Sequence, residues 1–402
     1  MIPYGRQQID EDDIQTVVAA LESDFLTQGP LVEKFENAIK AYCYPEQSET
    51  LHAVAVNSAT SALHIACLSL GVGAGDLVWT SPITFVASAN CALYCGAEID
   101  FVDIDPSTAN ISIDALVKKL QEAEVNGRLP KVVIPVHFAG QPCDMAAMFS
   151  LSQRYGFQII EDAAHAIGSS YQGHKTGACQ FSDITVFSFH PVKIITSAEG
   201  GMALTREKAL ADKMCLLAGH GITRDPKQMQ APFEGNWGYQ QVYLGFNYRM
   251  SDVHAALGLS QLNKLERFVE QRNAISRVYD KAFSGLPCKP LSTSSDRLNS
   301  YHLYMLVLDK NIDRAKVYDA LREQGLGVNV HYIPVYKQPY YRSLGFAQNA
   351  CKGAEQFYQH AITLPLFPAM TAKDQYEVID IVSKTLSSHA FSSRKECTKH
   401  VI

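Results

Sequence analysis

Lys193 stands in a setting that is unusual for a lysine. Residues 184–189 form a β-branched and aromatic run that predicts a buried strand. Pro191, which has no backbone donor, ends it, and Gly200-Gly201 leads into a second short apolar strand at 202–204. A lysine between buried strands is costly to keep charged, so its pKa should fall. A neutral amine in a pocket is a nucleophile toward carbonyls and can form a Schiff base. The plain alternative is a lysine that lays its alkyl stem on apolar surface and carries its charge to solvent.

Two other loops carry polar groups that fit the same chemistry. Asn57-Ser58-Ala59-Thr60-Ser61 follows a short apolar strand and opens a helical pattern. Small residues and hydroxyls at a helix start offer free backbone donors to an anion; the ordinary role of such serines is a helix cap. Asp162 follows the apolar run 157–161 and precedes Ala163-Ala164-His165. A carboxylate at the tip of a buried strand can bind a protonated ring nitrogen. It can equally cap a helix, and His165 alone reads as a hydrogen-bonded core histidine. Ser188 adds a hydroxyl shortly before Lys193. A phosphate cradle, a carboxylate and a buried lysine, at successive strand ends, together suit pyridoxal phosphate. That cofactor needs a Schiff-base lysine, a partner for its ring nitrogen and an anchor for its phosphate.

A sheet must hold these loops. From residue 53 apolar strands (53–56, 77–80, 99–102, 132–136, 157–161) alternate with helical patterns (61–70, 85–94, 113–124, 145–155). Such alternation predicts an α/β fold with a mostly parallel sheet covered on both faces, whose ligands bind beyond the carboxyl ends of the strands. Residues 9–45 are helical and amphipathic, broken at 23–30 by SDFLTQGP. Residues 251–283 read as one long helix, bent at most. It leads to a second domain with a strand at 303–308, a helix at 314–324, a strand at 327–332 and a final helix from about 373. The expected division is a large domain at 1–260, a small one at 261–388 and a polar tail at 389–402.

The chain has 402 residues, enough for two domains. Its net charge of −6 and lack of basic runs exclude nucleic acid as the main partner. No apolar stretch reaches the length of a membrane span, and MIPYGRQQIDEDD lacks the apolar core of a signal peptide. The ten cysteines include no CxxC pair. Cys91 and Cys95, on a predicted helix, read as core residues rather than metal ligands, so no metal is expected. A reducing cytoplasm suits such free thiols.

Five segments resemble the sugar-nucleotide aminotransferases of the DegT/DnrJ group: SDFLTQGP (23–30), NSATSALH (57–64), EDAAHAIG (161–168), SFHPVKIITSAEGG (188–201) and LGFNYRMSDVHAALG (244–258). The resemblance runs from about residue 3 to about 385. It implies the aspartate-aminotransferase fold (fold type I), with a large three-layer αβα domain and a smaller α+β C-terminal domain. Within the group, MIPYGRQ, SFHPVK and VHYIPVY are most similar to the branch that aminates C4 in pseudaminic acid biosynthesis.

The resemblance also implies roles. Lys193 matches the Schiff-base lysine and Asp162 the partner of the pyridine nitrogen. His165 matches the position beside the cofactor's phenolic oxygen. Ala59, Thr60 and Ser188 match phosphate contacts, and Phe85 matches the aromatic residue stacked on the ring. Asn247 matches an asparagine that reaches the phosphate of the other subunit, with Arg249 beside it, which implies a homodimer with shared sites. Tyr4, His331 and Tyr332 fall in segments that line the substrate pocket of relatives. The implied partners are L-glutamate and a UDP-linked keto sugar. Retention of the lysine favours amino transfer over the group's dehydratase branch, which has histidine there. Three other readings are a different UDP- or dTDP-linked sugar, a regulator that binds the cofactor without turnover, and a plain nucleotide-binding protein. The last lacks a GxGxxG or Walker lysine motif.

Overall fold

The structure is a computed structural model that describes residues 1–229, 235 and 237–397, with side chains described to residue 388 outside the gaps. Seven strands form the central sheet: β1 (His52–Val56), β2 (Leu77–Thr80), β3 (Glu98–Phe101), β4 (Val132–Ile134), β5 (Gln158–Asp162), β6 (Ile184–Ser188) and β7 (Gly201–Thr205). Their order is β1-β7-β6-β5-β4-β2-β3. Only β7 runs antiparallel to its neighbours. The carboxyl ends of β1, β5 and β6 therefore share one edge with the start of β7.

Every residue of β6 and β7 is buried. Alternation sends neighbours to opposite faces: Val186 and Ala203 join one apolar core, Phe187 and Met202 the other. Covered on both sides, these strands read as continuous apolar runs. Truncating the fully buried Phe187 to alanine is expected to cost about 3–5 kcal/mol.

Several boundaries differ from the sequence reading for local reasons. β4 stops at Ile134 because Pro135 has no donor for the ladder. The helix expected from residue 85 spans Ala87–Tyr94, since Phe85 and Val86 form the turn that enters it. The long helix expected at 251–283 is two helices, Asp252–Leu262 and Leu265–Phe283. At the break the Lys264 amide donates to the Gln261 carbonyl, and its ammonium bridges Asp10 and Asp13 (2.9 Å to Asp13).

Beyond residue 284, β8 (Cys288–Pro290), β9 (Tyr304–Leu308) and β10 (Ala361–Leu364) form an antiparallel sheet in the order β8-β9-β10. Helices Arg314–Glu323 and Ala372–Cys397 cover it, with Val317, Leu321, Val378 and Val382 in its core. The helix through Cys397 occupies most of the stretch expected as a tail; residues 398–402 lie outside the described residues. The strand expected at 327–332 is only Leu326–Gly327, paired in parallel with Ile2–Pro3. Residues 328–334 instead form a loop toward the central sheet, which Asn329 ties to Thr363 by backbone bonds in both directions (3.2 and 2.8 Å). Among the described residues no helix is long and apolar enough to cross a membrane.

Candidate active site

A cavity of about 560 Å³ opens at the edge where β1, β5 and β6 end. Helix Ala59–Ser69 starts there. The Ser58 hydroxyl caps it by accepting from the Ser61 amide (3.1 Å), and no partner within the described chain takes the Ala59 or Thr60 amide. Both residues line the cavity, so two free donors and the positive end of a helix face it. Gly201 makes this approach possible: a Cβ there would lie 2.4 Å from the Ala59 nitrogen. Ser188, at the end of β6, also lines the cavity.

Asp162 is the last residue of β5 and is buried. Its Oδ2 accepts from the Ser88 hydroxyl at 2.6 Å and its Oδ1 from the Ala164 amide at 3.0 Å. Thr84 lies 2.7 Å behind Ser88. The carboxylate is thus held by two donors and retains acceptor capacity toward the cavity. Its neighbour Glu161 faces the other side of the sheet, where it accepts from His137 Nε2 (2.6 Å) and Thr185 (3.1 Å).

Lys193 lines the same cavity. Burial of its amine lowers its pKa to about 8, and the charge of Asp162 acts in the opposite sense. His165 is buried, and burial, then the Lys193 charge, holds its pKa well below the usual histidine range. Its Nδ1 accepts from the Ala139 amide (3.3 Å), so the proton of the neutral ring sits on Nε2, 3.3 Å from the Tyr332 hydroxyl. Phe85 stands at the rim, 60% exposed, with its ring 6.5 Å from that of Tyr332.

The opposite wall comes from both ends of the chain. Tyr4 and His331 line it with ring centroids 5.2 Å apart, and His331 Nδ1 lies 2.8 Å from the Thr363 hydroxyl. Burial lowers the His331 pKa to about 3 and raises those of Tyr332 and Tyr4. All three groups are therefore neutral hydrogen-bonding groups near neutral pH.

Ten of the twelve predicted residues line this one cavity. Asn247 and Arg249 do not. Their segment runs beside the end of β1, where the Asn57 amide donates to the Tyr248 carbonyl (2.7 Å), and Asn247 is exposed. The sequence reading missed Ser88 and His302. Ser88 lies in TFVASAN beside Phe85, so the segment was legible but not the serine's contact with a strand 74 residues away. His302 precedes β9 in a stretch with no signal of its own. Among the described residues no cluster of metal-ligating side chains occurs, Cys91 is buried in the core and Cys95 is half-buried.

The donor set fits pyridoxal phosphate: open amides for an anion, an oriented carboxylate for a ring nitrogen, an amine of lowered pKa, and an aromatic residue at the rim. Comparison with known proteins agrees. The DegT/DnrJ/EryC1/StrS aminotransferase family model matches residues 7–383. The UDP-4-amino-4,6-dideoxy-N-acetyl-beta-L-altrosamine transaminase of Campylobacter jejuni is 37% identical over 390 residues, covering 96% of this chain and 98% of that protein. The spore coat polysaccharide biosynthesis protein SpsC of Bacillus subtilis is 37% identical over 388 residues, covering 95% and 96%. The solved structure of Helicobacter pylori PseC, an aminotransferase involved in the biosynthesis of pseudoaminic acid, matches with a TM-score of 0.86 at 30% identity, covering 96% of this chain and 99% of that one. By that family match and these end-to-end identities, the chain belongs to the DegT/DnrJ/EryC1/StrS aminotransferase family.

Proposed function

We propose that this protein transfers the amino group of L-glutamate to C4 of UDP-2-acetamido-2,6-dideoxy-β-L-arabino-hex-4-ulose, a step of pseudaminic acid biosynthesis. The coarser statement stands without the proposal: the chain is a pyridoxal-phosphate-dependent aminotransferase of the sugar aminotransferase family. The observation that carries the finer reading is that Tyr4, His331 and Tyr332 line the same cavity as Lys193. These lie in the segments, MIPYGRQ and VHYIPVY, that resemble the C4-aminating branch. The end-to-end identity to the Campylobacter jejuni transaminase supports it.

When bound, pyridoxal phosphate supplies a carbonyl carbon that carries the amino group and a ring that withdraws electrons from the reacting carbon. The Ala59 and Thr60 amides and the Ser188 hydroxyl would hold the phosphate. Asp162 would accept a hydrogen bond from the protonated ring nitrogen, with Ser88 fixing the direction of that carboxylate. His165 would offer its Nε2 proton to the phenolic oxygen, and Phe85 would pack against the ring. Lys193 Nζ takes the proton from Cα of glutamate as a base and returns it as an acid, a role its lowered pKa suits. In the second half-reaction it runs the same transfer in reverse toward C4 of the sugar. Glutamate leaves as 2-oxoglutarate and the ketone becomes an amine.

A homodimer belongs to the proposal, with Asn247 and Arg249 serving the partner's cavity. So does the division into a cofactor-binding domain at 1–260 and a small domain at 261–388, with a cytoplasmic location. The equal identity to SpsC favours a second reading, a different UDP- or dTDP-linked keto sugar as acceptor. Incubating the protein with glutamate and a panel of UDP- and dTDP-linked 4-keto sugars, with products read by mass and NMR, separates them. The β-L-arabino UDP sugar should gain an amine at C4 in preference to the α-D-xylo epimer. An amine at C3, or preference for a dTDP sugar without the acetamido group, overturns the sugar assignment and leaves the aminotransferase intact.

A further inference from the structure

His302 lines the cavity between Lys193, His165 and His331, yet no role assigned so far uses it. It is 5% exposed, and its ring centroid lies 4.3 Å from that of His165. Its position is built rather than incidental. The buried Arg272 donates from Nη1 to the carbonyls of Tyr301 (3.1 Å), His302 (3.3 Å) and Leu366 (3.2 Å). The neighbouring Ser300 hydroxyl donates to the His165 carbonyl (3.1 Å), and the Leu303 amide to Ala139 (3.3 Å). Backbone and ring are therefore fixed before any ligand arrives.

The side chain itself is unsatisfied. Nδ1 is buried without a hydrogen-bond partner, which leaves Nε2 as the nitrogen with access to the cavity. Burial and the charges of Lys193 and Arg272 keep the ring neutral, so it carries one proton. An orphaned N–H is rarer in protein interiors than an under-used acceptor. The proton therefore belongs on Nε2, where it is a donor aimed into the cavity. Among the described lining residues Lys193 is the sole lysine or arginine, so among the described residues a substrate oxygen near the reacting carbon meets no cation apart from the reactive amine.

We propose that His302 is a substrate-binding residue that donates a hydrogen bond from Nε2 to an acceptor oxygen borne close to the reacting carbon. Two ligands of the proposed reaction supply that chemistry, the α-carboxylate of the amino donor and an oxygen on the sugar ring. The inference rests on the aminotransferase reading, and the test separates the two sources. The holoenzyme is mixed in one arm with L-glutamate and in the other, after loading with the amino group, with a UDP-linked 4-keto-6-deoxy-N-acetylhexosamine. Each half-reaction is followed by the cofactor's visible absorbance as a function of ligand concentration. His302→Phe keeps a ring against His165 and removes both nitrogens; His302→Gln keeps a donor and loses the ring.

The phenylalanine variant should bind the substrate of one arm about tenfold more weakly, the value of one lost hydrogen bond. Its melting temperature without substrate should not fall, because an unsatisfied nitrogen has been removed. The glutamine variant should recover part of the binding. Loss confined to the glutamate arm assigns the carboxylate, and loss confined to the sugar arm assigns the sugar oxygen. If neither arm changes, the proposal is overturned. It is equally overturned if the phenylalanine variant behaves as wild type while the glutamine variant is impaired, since the ring would then be packing alone. A wild-type protein that reacts with glutamate but with no UDP keto sugar would refute the proposed acceptor, leaving the glutamate arm as the test of His302.

Discussion

The two walls of the cavity are built differently. The cofactor wall is made of strand ends: Ala59 and Thr60 after β1, Asp162 at the tip of β5, Ser188 at the tip of β6. Its side chains stand at strand ends whose last residues are buried. The facing wall is made of loops: Tyr4 from the N-terminus, His302 before β9, and residues 329–333. These are held by point contacts, such as the Leu366 amide on the Tyr4 carbonyl (3.0 Å) and Arg272 on three carbonyls. Rigid strand tips suit chemistry that tolerates little displacement. Loops on a fixed scaffold suit recognition, because they change without disturbing the sheet.

The largest expected effect sits on the strand-end wall. Lys193→Ala should abolish turnover while the phosphate cradle still retains the cofactor, read by absorbance after gel filtration. Borohydride should fix the cofactor covalently to Lys193 in the wild type, read by peptide mass. Normal turnover in the variant would remove the distinction between the walls. Next in size, Asp162→Asn should lower the rate by several orders of magnitude, since the ring nitrogen loses its charged partner. A rate within a few-fold of wild type would reduce Asp162 to a structural cap.

A smaller loss, about tenfold in kcat, is expected for Ser88→Ala, which frees one oxygen of Asp162 without removing the charge. Rescue by Ser88→Thr, with no change in KM for the sugar, marks it as a positioning residue of the cofactor wall. Asn247 tests whether the cavity has a third contributor. Asn247→Ala and Lys193→Ala proteins should each be impaired. Subunit exchange in an equal mixture should restore about a quarter of wild-type activity, because half the dimers then carry one intact site of two. A fully active Asn247→Ala protein would confine the site to one chain.

The smallest effect is a slope in stability. In the cofactor-free protein the folded pKa of Lys193 is about 8 against an ordinary 10.5. Between those values the unfolded chain binds more protons, so stability rises with pH across the window and is lowest below about pH 8. Lys193→Met should remove this contribution, so the wild type should gain more than the variant from pH 8 to pH 10 in urea unfolding. Equal gains would place the amine in water rather than in the cavity.

The strand-end wall was legible in the sequence because its information is local. Apolar runs such as 184–188 form buried strands, polar residues directly after them fall at one edge of a parallel sheet, and a glycine where β7 meets the helix start permits the approach. Lys193, Asp162, Ala59, Thr60 and Ser188 could thus be named from spacing and resemblance before their meeting was seen. Only the tertiary structure decided the other wall. Nothing local in PYGRQ says that Ile2–Pro3 pairs with Leu326–Gly327 and carries Tyr4 to His331. Residues 328–332 have the apolar character of a strand, but their backbone meets a loop-like path once Asn329 has paired with Thr363. His302 and Ser88 became functional candidates through contacts made across more than seventy residues of chain. Local propensity fixes which residues end a strand; which distant loop closes over them depends on long-range pairing and burial, and that is settled only when the chain packs.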